Sequence, residues 1–269
     1  KEIEDKSTTL AKALGVKGLL NIQFAIKDDT LFILEANPRA SRTMPFVSKV
    51  TGNQIIKAGT LLMLGHSLDS IKKTTNYLNS STNKVAIKKA IFPWSRFPAE
   101  DTMLGPEMKA TGEVLGIGRS FGVALNKAYA AAGVEINENE KGIFVSISDQ
   151  EKPNFIKIVK TYSDLGFKIY STYGTGEYLK NNDINSTIVG RADETFPTSL
   201  TILQDKLISL VINTPTFANE YTDGWKIRRL SHETGVAVVS SVREAEAFLK
   251  AFLETTKSFE DMEAIQNVS

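Results

Sequence analysis

The sequence predicts an α/β protein in two parts: an α+β segment, then a doubly wound domain built on a parallel sheet. Three observations carry this. From residue 139 onward, short β-rich runs alternate with runs of helical period, the pattern of a parallel sheet with helices on both faces. Residues 1–92 instead read as a helix, two adjacent strands and another helix, a hairpin with helices around it. Between them, EINENEK (135–141) is charged and poor in apolar residues, as linkers are. The expected domains are therefore 1–92, a connecting segment and helix over 93–138, and 139–269.

Residues 3–14 repeat apolar positions at helical spacing until Gly15 stops them. GLLNIQFAI and LFILEAN are strands around the turn Lys27-Asp28-Asp29-Thr30. Asn53 to Leu64 is a helix carrying Ile55, Ile56, Leu61, Leu62 and Leu64, ended by Gly65. LNSSTNK (78–84) is a polar loop, KVAIKKAIFPW a strand, and Pro93 and Pro98 interrupt regular structure after it. The Gly-rich LGPEMKATGEVLGIGRS leads into an Ala-rich helix over 119–132. In the last part GIFVSIS, FKIYST, STIVG, LISLVINT and VAVVS are strands, and NFIKIVKTYSDLG, GEYLKNN and VREAEAFLKAFLETT are helices.

Composition removes several classes of function. Lys+Arg 32 against Asp+Glu 31 leaves a net charge of +1, so no global field draws nucleic acid or anionic lipid. The longest apolar runs are strand-sized, too short for a membrane-spanning helix. Cysteine is absent and only His66 and His232 are present, which excludes disulfides, thiolate nucleophiles, Cys-rich zinc sites and an HExxH motif. With Lys1 first and no signal peptide, the chain reads as a piece of a longer protein.

The segment NIQFAIKDDTLFILEANPRASRTMPFVSKVTG (21–52) is the most informative. Gln23 and Glu35 interrupt two otherwise apolar strands, where an isolated ionised carboxylate is costly to desolvate. Glu35 and Asn37, two apart on a strand, share a face. A two-residue loop pairs Gln23 with Leu34, on the wrong face; a three-residue loop, Asp28 to Thr30, pairs Gln23 with Glu35. The three-residue loop is expected, because it converges one carboxylate and two amide oxygens, a start for Mg²⁺ that also takes water and phosphate oxygens. Pro38 holds Asn37 extended, and Arg39 and Arg42 come next as anion clamps. The alternative is a structural ion pair between Glu35 and Arg39 or Arg42.

The run QFAIKDDTLFILEANPRASRTMPFVSKVTG closely resembles the end of the second ATP-grasp domain in the carbamoyl phosphate synthetase large-subunit family, and GPEMKATGEVLGIG is similar to that family's downstream segment. The resemblance covers essentially the whole chain. It implies an ATP-dependent ligase domain that phosphorylates carbamate, with Gln23, Glu35 and Asn37 holding Mg²⁺ (or Mn²⁺). It also implies that Arg39 and Arg42 contact the transferred phosphoryl group and carbamate. One departure is large: no glycine-rich phosphate loop precedes Gln23, so the chain carries part of a catalytic site and is expected to be inactive alone. An unrelated ATP-grasp carboxylate–amine ligase would share the Glu-x-Asn hairpin but not the domain C-terminal to it.

In an open parallel sheet, ligands sit at the carboxyl ends of strands beside helix N-termini. Ser146 and Ser148 end the first strand of the C-terminal domain and Lys152 opens the next helix; STYGTG places Thr172 and Thr175 around Gly174; Asn213 and Thr214 end the fourth strand. Hydroxyls, backbone N–H groups, a helix dipole and a lysine suit a phosphate, although Ser and Thr also cap helices generally. The domain resembles the methylglyoxal synthase-like fold, which in this synthetase family is the allosteric domain. The resemblance implies an effector such as UMP at Ser146, Lys152, Thr172, Thr175, Arg191, Asn213 and Thr214. Arg191 stands where Lys is common and Pro215 where a second Thr is common. Asp193 and Glu194 lie in GRADETFPTS, which lacks the Gly-Gly-Asp pattern of methylglyoxal synthase itself, so that chemistry is not expected.

Family members of the arginine pathway also bind ornithine through an acidic residue and a Tyr-Asp-Thr run. Lys89 and Val238-Val239-Ser240 align there, so ornithine activation is expected to be lost. The implied parent is a cytoplasmic, oligomeric enzyme of pyrimidine or arginine biosynthesis that works with a small glutaminase subunit, ATP and carbamate, without nucleic acid or membrane. The alternative is a free-standing regulatory module that binds nucleotide and catalyses nothing.

Overall fold

The computed structural model describes residues 1–75, 83–94, 97, 102, 108, 112–134, 142–191, 194, 197–214 and 222–255. The polar loop over 78–82, Pro98, the 135–141 linker, Asp193 and Pro215 lie outside the described residues. By backbone proximity the chain divides between Asn83 and Lys84 into two compact units. The segment expected to connect two domains, 93–138, and the 139 boundary both fall inside the second unit.

The first unit runs α1 (Glu2–Ala13), β1 (Asn21–Lys27), β2 (Thr30–Asn37), α2 (Thr43–Thr51), α3 (Ile55–Met63) and α4 (Leu68–Thr74). Helix α2 is not expected from the sequence. Pro45 argues against a helix by pattern, but it sits in the first turn, where its missing N–H costs nothing. Gly52, at φ 67°, closes α2 in the left-handed conformation. Strands β1 and β2 pair antiparallel, Lys27 opposite Thr30. The connection is therefore two residues, Asp28 and Asp29, both with positive φ (48° and 57°), as the tightest hairpins require. This corrects the expected three-residue loop. Aspartate tolerates the left-handed region better than most residues, so the tight turn forms without glycine.

The second unit opens with β3 (Val85–Ile91) and β4 (Gly112–Gly118), an antiparallel pair covered by α5 (Phe121–Ala131). The GEVLGIG run, read as a Gly-rich lead, is thus a strand. Its glycines allow close packing: a Cβ on Gly116 would lie 2.0 Å from the Ala124 carbonyl oxygen and 2.6 Å from the Ala128 nitrogen. The start of α5 is capped by Ser120, and Glu254 accepts from the Gly122 N–H at 2.8 Å and from the Ser120 hydroxyl. Those hydrogen bonds, the serine's foremost, hold the Glu254 carboxyl below its ordinary range.

Next come β5 (Gly142–Ser146), α6 (Lys152–Asp164), β6 (Lys168–Ser171), α7 (Tyr173–Lys180), β7 (Thr187–Ile188), α8 (Ser199–Gln204), β8 (Leu210–Asn213), α9 (Asp223–Thr234), β9 (Ala237–Val239) and α10 (Val242–Thr255). The five strands form a parallel sheet in the order β7-β6-β5-β8-β9. Alternation along each strand feeds two cores. Ile143, Val145, Leu210 and Ile212 join Phe155, Tyr162 and Phe248 from α6 and α10 on one face. Phe144, Val211 and Tyr170 join Ile202, Leu203 and Ile227 from α8 and α9 on the other. Both faces are covered, as the doubly wound class demands.

Helices α8 and α9 are likewise not expected from the sequence. Helix α9 turns Arg228 and Arg229 inward beside Ile227, so its buried side shows no apolar stripe to read.

The β4–α5 contact gives a direct test. Gly116→Ala drives a methyl into helix backbone and should destabilise the second unit by about 3 kcal/mol. Gly112→Ala, whose Cβ would find its nearest neighbour at 3.5 Å, should stay within about 1 kcal/mol. Urea midpoints of the two variants check this.

Candidate functional site

In the first unit, a β-bulge does what the loop does not. Phe24 pairs with Ile33 but Gln23 pairs with Glu35, so the register shifts by one and Leu34 is the extra residue. Gln23 and Glu35 therefore stand directly opposite on one face, with Asn37 two residues further along it and opposite Asn21. The Asn37 amide donates to Glu35 Oε1 at 2.9 Å. Arg39 turns its guanidinium to the Ala40 carbonyl at 3.0 Å, so the alternative ion pair between Glu35 and Arg39 does not form. Arg42 is the N-cap residue of α2.

The convergent donors are all oxygen, one carboxylate and two amide carbonyls. That is a hard set with low charge, suited to a small divalent ion that keeps water and phosphate among its ligands. Among the described residues, no three His, Cys, Asp or Glu side chains cluster as a metal site by themselves.

In the second unit, strand order reverses at β5: β6 and β7 extend to one side, β8 and β9 to the other. The carboxyl ends of β5 and β8 therefore flank the switch point, the place where such sheets bind ligands. A cavity of about 600 Å³ opens there. Ser146 and Asn213 are register partners. The Ser146 carbonyl accepts from the Thr214 N–H at 3.1 Å and from Asn213 Nδ2 at 3.3 Å. The Ser148 N–H donates to Thr214 Oγ1 at 2.8 Å.

Five of the seven expected nucleotide contacts line this cavity: Ser146, Thr172, Arg191, Asn213 and Thr214. The other two stand behind its wall. Thr175, buried, takes the Ile147 N–H at 3.2 Å and the Thr172 hydroxyl at 3.3 Å. Its hydroxyl ties α7 to the end of β5. Lys152, also buried, donates to the Gly174 carbonyl at 2.8 Å and pairs with Asp149 at 2.5 Å. Gly174 lines the cavity, so this lysine braces the first turn of α7 from behind.

Other lining residues are not apparent from the sequence. Glu194 accepts from the Arg191 N–H at 2.9 Å, and α9 contributes Asp223, Gly224 and Arg228. Arg228 donates to Asn213 Oδ1 at 2.7 Å. Only the doublet in KIRRL hints at it, and both arginines are buried but they point to different partners. Arg229 turns elsewhere, to Glu233 at 2.8 Å and the Phe97 carbonyl at 2.8 Å.

At the positions aligned with an ornithine site, the Lys89 ammonium lies 4.4 Å over the Tyr129 ring. Burial holds its pKa below the ordinary lysine value, with Glu244 opposing. Val239 is fully buried in the first core, so it presents no acceptor to a ligand.

Comparison with known proteins finds two family matches and a set of similar chains. Residues 1–71 match the family described as carbamoyl-phosphate synthase L chain, ATP binding domain, and residues 154–240 match the MGS-like domain family. The large chain of carbamoyl phosphate synthase from Archaeoglobus fulgidus is 39% identical over 256 residues, 95% of this chain and 23% of its own length. The C-terminal section of that large chain from Aquifex aeolicus is 37% identical over 97% of this chain and 51% of its own length. The corresponding section from Methanocaldococcus jannaschii is 37% identical over 95% and 42%. The chain thus spans about a quarter of the Archaeoglobus fulgidus large chain and about half or less of the two C-terminal sections. With the hairpin inside one match, most of the cavity inside the other, and 95–97% of this chain aligned with each of these relatives, the chain is similar along nearly its whole length to carbamoyl phosphate synthase large chains, including their C-terminal sections.

Proposed function

We propose that the chain forms part of the ATP site at which a carbamoyl phosphate synthase large chain phosphorylates carbamate, joined to a nucleotide-sensing domain. The bulge-set pairing of Gln23 with Glu35, inside the ATP-binding-domain match, supports the first half most directly. In this reading a carbamate oxygen attacks the γ-phosphorus of ATP and ADP leaves. Magnesium (or manganese) neutralises charge on the phosphoryl oxygens when bound. Gln23, Glu35 and Asn37 would hold it on their common face, and the Asn37–Glu35 hydrogen bond keeps two of the three side chains together. Arg39 and Arg42 supply fixed positive charge to the transferring group and carbamate.

The second half rests on the cavity at the β5–β8 switch point. Its hydroxyls, backbone N–H groups and arginines suit a nucleoside monophosphate such as UMP as an allosteric effector. Lys152 spends two of its three N–H donors on Gly174 and Asp149, whereas Thr172 lines the cavity directly. The partners in this reading are the small glutaminase subunit, ATP and carbamate, in a cytoplasmic oligomer serving pyrimidine or arginine synthesis. Among the described residues no helix is long and apolar enough to cross a membrane.

The 269-residue chain alone should turn over ATP with carbamate only at background rate, because phosphoryl transfer depends on complete positioning. Robust carbamoyl phosphate formation by the purified chain would refute this. In a full-length large chain containing this segment, Glu35→Gln should lower the rate by roughly a hundredfold or more while the melting temperature holds. Mn²⁺ should broaden the amide resonances of Gln23, Glu35 and Asn37 in the wild-type chain, and Glu35→Gln should abolish that broadening.

For the cavity, calorimetry on the same chain should detect UMP and find uridine at least tenfold weaker, since each charge-assisted hydrogen bond to phosphate contributes roughly 1.5–3 kcal/mol. Ornithine should give no heat. Equal affinity for UMP and uridine sinks the phosphate reading.

A further inference from the structure

Among the described residues, Arg228 is the charged residue that is both buried and in the cavity wall: only 4% of its surface is exposed. The other charged lining residues, Arg191, Glu194 and Asp223, are exposed or half-buried. A guanidinium in that place needs acceptors, and Asn213 Oδ1 at 2.7 Å is one of those it takes. Gly224 makes the room, for a Cβ there would lie 3.0 Å from Arg228 Nη1 and 3.5 Å from Asn213 Oδ1. The other end of the amide donates to the Ser146 carbonyl at 3.3 Å.

These two contacts leave Asn213 one orientation. Arginine only donates and a backbone carbonyl only accepts, so the amide cannot turn over without setting donor against donor and acceptor against acceptor. Its oxygen is committed to Arg228. Its nitrogen carries two protons, of which Ser146 takes one; among the described residues the second has no other acceptor. The cavity is thereby offered an N–H by Asn213 and never a C=O.

We infer that Arg228 is the positioning residue of this cavity: it locks the Asn213 amide as a donor beside a buried positive charge, and so makes the site prefer a ligand bearing an anionic oxygen over its uncharged counterpart. The inference rests on reading the cavity as a nucleotide site. It assigns the discrimination to α9 and β8 rather than to Lys152, whose ammonium is engaged behind the wall.

The test is calorimetric titration of the 269-residue chain with UMP, uridine and inorganic phosphate. Wild type should bind UMP at least tenfold more tightly than uridine. Arg228→Met should weaken UMP tenfold or more and leave uridine within about twofold, so that the ratio collapses. Arg228→Lys keeps the charge but not the fork, and should recover part of the UMP affinity. Asn213→Asp sets an oxygen against the Ser146 carbonyl and cancels the positive charge; it should lose UMP as Arg228→Met does. If Arg228→Met fails to fold, by circular dichroism, the lysine and aspartate variants carry the comparison.

An Arg228→Met chain that binds UMP as wild type does would overturn the inference. So would one that loses UMP and uridine in equal measure, since that marks a structural role only. A wild-type chain that binds neither UMP nor phosphate would instead overturn the nucleotide reading itself, and the inference with it.

Discussion

Everything in the second unit depends on the parallel pairing of β5 with β8. Parallel strands need covered faces, and here each of these strands alternates strictly between two cores. The same pairing leaves the carboxyl ends of both strands unoccupied by a neighbouring crossover, because the chain leaves β5 toward β6 on one side and leaves β8 toward β9 on the other. The cavity is a consequence of that winding. Its floor is the register pair Ser146–Asn213, and its polar lining reflects the need to satisfy backbone groups where the strands stop.

The hydroxyl and amide groups at the strand ends divide their work. Thr175 and Lys152 complete the wall, tying the first turn of α7 to β5 and to α6. Ser146, Thr172, Asn213 and Thr214 face the cavity. Both kinds of residue are polar and near a strand end, so they look alike in sequence. Only their partners separate them. Burying Lys152 is tolerable because Asp149 and the Gly174 carbonyl receive its protons.

In the first unit the corresponding constraint is register. Side chains alternate with a period of two, so a one-residue slip reverses the face of every residue beyond it. A two-residue turn at Asp28-Asp29 would by itself put Gln23 against Leu34, and the bulge at Leu34 restores the pairing with Glu35. Turn and bulge together achieve what a three-residue loop would have done. The apolar side chains of Ile26, Phe32, Ile33 and Leu34 are exposed in this unit.

Sequence pattern alone orders the five strands of the C-terminal domain and three of its five helices, α6, α7 and α10, because β-rich and helical runs are local signals. It also singles out Gln23, Glu35 and Asn37 in the hairpin, polar residues set against apolar neighbours, which the register brings to one face. Helix α2 escaped because its proline discourages a helix everywhere but in the first turn. Helix α9 escaped because two inward arginines erase its apolar stripe. The tertiary structure alone decided which polar side chains at the strand ends see the cavity and which brace it. It also decided that a bulge rather than a loop sets the hairpin face, and that Arg228 reaches Asn213 from fifteen residues away. These outcomes depend on contacts between separate elements, and neither periodicity nor turn chemistry encodes such contacts within any one stretch of chain.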